Sequence, residues 1–287
     1  MTDKRRLGLG ARLRRNATGV FGAAVVAAFV MTALLSPLLA PHSPVETDLN
    51  LRLKPPFWSS GAVPGRWLGT DQLGRDLLSR MIFGARISLL VAAIAVAVSG
   101  TFGVAIGLLS GYYGGLADQI IMRIVDIQLA FPFILLAILV LAVLRPSLVN
   151  VVAVLALSSW VIYCRLARAQ TLSLREREFI TAARAMGCRE LRILGRHVAP
   201  NLIAVVVVVA ALQVAQVIIT ESVLSFLGLG VQPPTPTWGL IIGEGREYIN
   251  VAWWITTFPG LALMITVIAL GFVADWLRDR LDPALRT

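Results

Sequence analysis

Asn201-Leu-Ile-Ala-Val-Val-Val-Val-Val-Ala-Ala-Leu-Gln-Val-Ala-Gln-Val-Ile-Ile-Thr-Glu221 decides the fold: twenty-one residues with five consecutive valines and no basic side chain. A hydrocarbon layer of about 30 Å needs roughly 20 apolar residues at about 1.5 Å each, so this stretch reads as a membrane-spanning helix. Five more segments come near the same requirement, at about 18–40, 87–110, 120–144, 148–164 and 254–274. Lipid cannot satisfy backbone polar groups, so the predicted fold class is all-α, a polytopic bundle of about six transmembrane helices. Composition agrees, with 57% hydrophobic and 15% charged residues and a mean hydropathy of +0.79. The fourth segment is the weakest, being short and carrying Asn150, Ser158 and Ser159, although Trp160 and Tyr163 suit an interface.

A net charge of +10 would fit nucleic acid if the charge lay on a soluble face, but it lies beside the apolar runs. The partner it indicates is the lipid bilayer, with no nucleic acid. Lys4, Arg5, Arg6, Arg12, Arg14 and Arg15 precede the first run, which is longer than a signal core and ends Leu38-Leu39-Ala40-Pro41 without a small-x-small site. It reads as a retained anchor.

Basic residues near spans stay cytoplasmic. The resulting organisation is a cytoplasmic tail 1–17, an anchor helix 18–40, an extracytoplasmic loop 41–86, a core 87–276 and a cytoplasmic tail 277–287. Within the core, segment 165–200 is cytoplasmic and 222–253 extracytoplasmic. Eight arginines between 165 and 200 support this, whereas Arg52, Lys54, Arg66, Arg75, Arg80 and Arg86 in the outer loop oppose it.

Gly103, Gly107 and Gly111 form a small-residue stripe that lets a second helix approach. Polar groups inside spans are costly, which singles out Gln213, Gln216 and Glu221 as translocation-pathway candidates. Asp126 pairs most simply with Arg123 one turn away. Phe131-Pro132 kinks the third span. The outer loop is broken by Gly228, Gly230, Pro233, Pro234, Pro236 and Gly239 yet keeps Phe226 and Trp238. It reads as packed on the membrane surface, with Phe226, Pro233 and Trp238 as candidates for an outer gate or a partner contact. Cys164 and Cys188 lack metal or redox spacing, and no metal site is expected.

Phe179, Ala182, Ala183 and Met186 follow i, i+3, i+4, i+7, giving a short cytoplasmic helix with an apolar stripe. Such a stripe serves either docking or packing within the chain. Gly187 can end that helix, a second runs from Arg189 to about His197, and Pro200 opens the next span. The side on which Arg192 lies is not readable from spacing.

Thr181-Ala182-Ala183, Gly187 and Pro200 match the spacing of the motif Glu-Ala-Ala, three residues, Gly, nine residues, Ile-x-Leu-Pro. That motif belongs to the inner-membrane permeases of ATP-binding-cassette importers, and the chain resembles their dipeptide/oligopeptide/nickel branch, C-type subunit. Thr181, His197 and Ala199 depart from it. The resemblance extends to Leu68–Arg80, Gly84–Leu89 and Leu224–Gly239. It implies a type I importer fold in the bacterial inner membrane and an ATPase-coupling role for Thr181, Ala182, Ala183, Gly187 and Pro200, with Phe179 and Met186 on the coupling face. It also implies a homologous second permease forming a heterodimer, two cytoplasmic ATPases that use ATP and Mg, and an extracytoplasmic solute-binding protein. No phosphate-binding Gly-x-x-x-x-Gly-Lys-Ser/Thr loop occurs, so this chain is expected to bind no cofactor and catalyse nothing. The implied substrates are di- or oligopeptides, with nickel, glutathione or another small solute as the alternative. An ion-coupled transporter would need mid-membrane charges, and an intramembrane hydrolase a buried base, but His42 and His197 fall outside the spans.

Overall fold

The structure, a computed structural model, describes residues 17–281. The expected tails 1–17 and 277–287 lie outside the described residues, apart from Ala17 and the stretch up to Leu281. Nine helices of eight or more residues order the described residues: α1 Ala17–Leu34, α2 Leu77–Tyr113, α3 Gly115–Ala130, α4 Phe133–Leu144, α5 Leu148–Arg175, α6 Glu178–Ala185, α7 Glu190–Phe226, α8 Trp238–Gly245 and α9 Trp254–Leu281. Five of them are long and apolar enough to cross a membrane: α1, α2, α5, α7 and α9.

The remaining apolar pair, α3 and α4, is bent. α3 and α4 meet at 89° across Phe131-Pro132, because proline has no N–H to continue the ladder and pushes Phe131 into extended backbone. The pair still runs along α5. Asp118 in the first turn of α3 takes a bidentate contact from Arg168 at 2.5 and 2.7 Å, and Asn150 donates to the Leu144 carbonyl at the end of α4 at 3.0 Å. Those contacts are about 27 Å apart along α5, nearly one membrane thickness. The third span is therefore the irregular one. The fourth, expected to be weakest, is a 28-residue helix and the most buried of the spans. Its serines are satisfied locally, both donating to the Leu155 carbonyl. Asp126 pairs with Arg165 at 2.7 Å rather than with Arg123, tying α3 to α5 instead of closing on its own helix.

The glycine stripe packs α2 against α5. A Cβ added at Gly103 or Gly107 would lie 2.3 Å from the carbonyl oxygen of Trp160 or Cys164, and one at Gly111 2.8 Å from that of Arg168. Helix backbones touch there, which is how dispersion holds helices together where lipid supplies no hydrophobic drive.

The outer loop ends at Asp76 rather than residue 86, since the Asp76 carboxylate caps α2 by accepting from the Ser79 amide at 2.9 Å. α2 is thereby 37 residues long, and its first turns join a folded cap. Inside that cap Arg75 and Arg80 bind Asp71 at 2.6 and 2.5 Å and share Glu244 of α8, each at 2.8 Å. Two of the six basic residues of the expected outer loop are therefore buried and neutralised within the fold.

Candidate functional site

At one end of the bundle α5 overruns its expected limit to Arg175, and α6 follows after a two-residue turn. Glu178 and Arg184 stand in its first and last turns, the signs the helix dipole favours. Gly187 adopts φ +77°, the Gly187 amide donates to the Arg184 carbonyl at 3.0 Å, and the Cys188 amide donates to the Ala183 carbonyl at 3.1 Å. That pair of bonds is a Schellman cap, and it needs a residue tolerant of the left-handed region.

α6 divides its apolar residues between two sides. Ile180 and Ala183 are buried with Tyr112, Ala167, Ile193, Leu194, Val198 and Leu202, whereas Phe179 is 44% exposed, Met186 76%, and Thr181 and Ala182 face outward. Ala183, expected on the outer stripe, belongs to the inner one. The cause is the elbow's return: α7 folds back against the Ile180 side and covers it.

The second half of the elbow is not a separate helix. α7 runs from Glu190 through Phe226, with a π turn at Leu194–Val198 that absorbs the missing N–H of the exposed Pro200. The Asn201 side chain donates to the His197 carbonyl at 2.6 Å, repairing the ladder. A clamp unread from sequence fixes the corner. The Tyr112 hydroxyl, at the end of α2, donates to the Glu190 carboxylate, while Arg184 approaches Glu190 at 3.4 Å and donates to the Tyr112 oxygen at 3.4 Å. The bond to Tyr112 raises the pKa of Arg184, fixing its positive charge.

At the other end of α7 the pathway candidates separate. Glu221 is 0% exposed, its carboxylate accepting from Ser225 at 2.6 Å and Ser88 at 3.3 Å. Thr237 donates onward to Ser225 and caps α8. Gln213 is also buried, so neither residue lines an open path in this chain. Gln216 differs: it is exposed on the outward stripe with Leu212, Val223 and Phe226. Trp238 is 1% exposed, donating to the Met81 carbonyl at 3.1 Å and meeting Phe29 edge-on at 5.6 Å. It is a core residue that plugs the outer loop into the bundle, not a gate surface. Pro233 and Phe226 do remain accessible, and Arg246 sits 5.7 Å over the Phe226 ring.

Five long apolar helices, a bent apolar pair, a long re-packed loop before α2 and a capped elbow between two spans define a type I importer permease fold. The solved structures agree on fold: inward-facing conformations of the MetNI methionine ABC transporter superpose with TM-scores of 0.58 and 0.60 at 20% and 18% identity, covering 72% of this chain and at least 96% of those. The chain belongs to the binding-protein-dependent transport system inner membrane components, whose family description matches residues 103–287. Residues 10–56 match the N-terminal TM domain of oligopeptide transport permease C. Among curated relatives, the di/tripeptide transport system permease protein DppC of Pseudomonas aeruginosa is 44% identical over 90% of this chain and 85% of its own. The dipeptide transport system permease protein DppC of Escherichia coli K12 is 41% identical over 95% and 91%. The glutathione transport system permease protein GsiD of Pectobacterium atrosepticum is 44% identical over 80% and 76%.

Proposed function

We propose that this chain is the permease subunit of an ATP-driven importer and forms half of the pathway for di- or oligopeptides. The observation that carries the substrate is the likeness to relatives named for dipeptide and di/tripeptide transport across nine-tenths of the chain. A homologous second permease pairs with it as a heterodimer, two cytoplasmic ATPases dock on the elbow, and a solute-binding protein delivers ligand outside. Both termini are cytoplasmic, in the bacterial inner membrane. This chain performs no chemistry and binds no cofactor; ATP and Mg are consumed by the ATPases.

Phe179, Ala182 and Met186, with Thr181, form the ATPase-facing ridge, and Ala183, Gly187 and Pro200 give the elbow its shape. Gln216 faces the pathway with Leu212 and Val223, and Phe226 and Pro233 meet the binding protein. Alternating access follows: closure of the ATPases moves the elbow, and the spans reorient the cavity. Uptake of labelled dipeptide by vesicles holding all the partners tests the reading. Dipeptide uptake that needs ATP supports it, while transport of nickel alone overturns the substrate. Glutathione is a second reading, favoured by the Pectobacterium relative.

A further inference from the structure

The stretch Leu68–Arg80 is used by neither the elbow nor the pathway, yet it supplies most of a buried charge cluster at the opposite end of the bundle. Asp71 and Arg80 are 0% exposed and Arg75 4%. Arg75 Nε lies 2.6 Å and Arg80 Nη1 2.5 Å from Asp71 Oδ2, so two guanidinium groups share one carboxylate. Asp76 stands outside this balance. It accepts from the amide and hydroxyl of Ser79, and its basic neighbours are Arg66 at 3.9 Å and His42 at 3.8 Å. Left to itself, the cluster would bury two positive charges and one negative. The missing acid is Glu244, 169 positions from Arg75, whose Oε2 lies 2.8 Å from both guanidinium groups. Two positive and two negative charges then sum to zero.

Glu244 stands in the last turn of α8. The first turn of that helix is also held to α2, by Trp238 donating to the Met81 carbonyl, and it lies against α7, where a Cβ at Gly239 would be 2.4 Å from Ser222 Cα. We propose that Glu244 is a positioning residue: it closes a buried ionic lock that fixes α8, and with it the loop 227–237 carrying Pro233, to the start of α2. Removing one member of a buried pair strands an unpaired charge, whereas removing both members strands none. That asymmetry separates a lock from a helix held by packing alone.

The complex with its partner subunits, purified in nanodiscs, would be followed by hydrogen exchange of the α8 amides, and dipeptide uptake measured in vesicles. Glu244→Gln leaves a buried positive charge; it should speed α8 exchange about 100-fold and lower uptake about tenfold, with ATPase co-purification unchanged. Arg75→Gln leaves a negative charge and should loosen α8 to a similar degree. Glu244→Gln/Arg75→Gln leaves Arg80 with Asp71, and should bring exchange back to within about tenfold of wild type and recover uptake. Additive loosening in the double variant, or unchanged exchange in Glu244→Gln, overturns the lock. A loosened α8 with uptake intact overturns its part in transport. If Glu244→Gln does not accumulate in the membrane, accumulation of the double variant supports the lock, and its loss as well overturns it. The uptake arm rests on the chain being an importer permease, but exchange is read without transport. A wild-type complex that imports no dipeptide therefore overturns the proposed function and leaves the lock standing.

Discussion

Removing the outward ridge of α6 should separate docking from folding. Phe179→Ser/Met186→Ser takes away two apolar side chains that the chain's own packing leaves 44% and 76% exposed. Full burial of such a side chain is worth about 1.5–3 kcal/mol, so completing their burial under an ATPase would contribute about 1 kcal/mol from Phe179 and about 1.5 from Met186. The pair should weaken ATPase binding by roughly 30- to 100-fold. Purified ATPase titrated onto the permease in nanodiscs reads the Kd directly, and stimulated hydrolysis and vesicle uptake should fall with it. Thermal unfolding should stay near wild type, because neither side chain contributes to the cluster beneath. Ile180→Ala is the opposite case, hollowing that cluster at a cost of about 2–5 kcal/mol and damaging the elbow whether or not a partner is present. A Kd shift below about threefold for the double variant, with uptake intact, would refute the assignment of this ridge to docking.

Three other outcomes follow from close contacts elsewhere. Gly107→Leu would drive a side chain into the Cys164 carbonyl and part α2 from α5, destabilising the purified chain by about 1–3 kcal/mol or more in a melting experiment. Gly187→Asp forces an L-residue to φ +77° where a Cβ meets open space, so its cost of about 1–2 kcal/mol is conformational and should appear as protease sensitivity of the elbow. Glu221→Leu strands the Ser88 and Ser225 hydroxyls and should cost about 1–3 kcal/mol by thermal unfolding, whereas Glu221→Gln, which keeps an acceptor, should cost less.

Length and apolarity made the spans legible, because lipid tolerates few backbone solutions. They also exposed Gly103, Gly107 and Gly111, whose spacing alone gives a close-approach face. What failed was sidedness. The stripe Phe179, Ala182, Ala183, Met186 satisfies a helical template, but an eight-residue helix has room for two apolar faces, and the covering α7 decides which one Ala183 joins. Trp238 and Glu221 misled for a related reason. A polar or aromatic residue near a span end has the same local sequence whether it faces a pathway or the chain's own outer loop, and only the return of α8 buries both. The Tyr112–Glu190 contact joins residues 78 apart in sequence and left no local signal. Arg75 and Arg80 had one, since the acids Asp71 and Asp76 interleave with them, but Glu244 lies 169 positions from Arg75.

The two ends of α7 give the elbow a route to the far side of the bundle. At the inner end, Tyr112 of α2 and Arg184 of α6 both hold Glu190, so a displacement of α6 reaches α2 and α7 together. At the outer end the same two helices are tied again, Ser88 of α2 to Glu221 of α7, and that carboxylate connects through Ser225 to Thr237, the cap of α8. Two helices joined at both ends cannot easily slide past each other; they tilt as one body, and a close-packed interior passes the tilt on with little loss. These ties connect the end of α7, with Phe226, to the loop that carries Pro233, so a tilt of α7 driven from the elbow is expected to shift both. On this reading Glu221 needs no contact with substrate. Its burial behind α8, which removes it from the pathway, is what suits it to carry the motion.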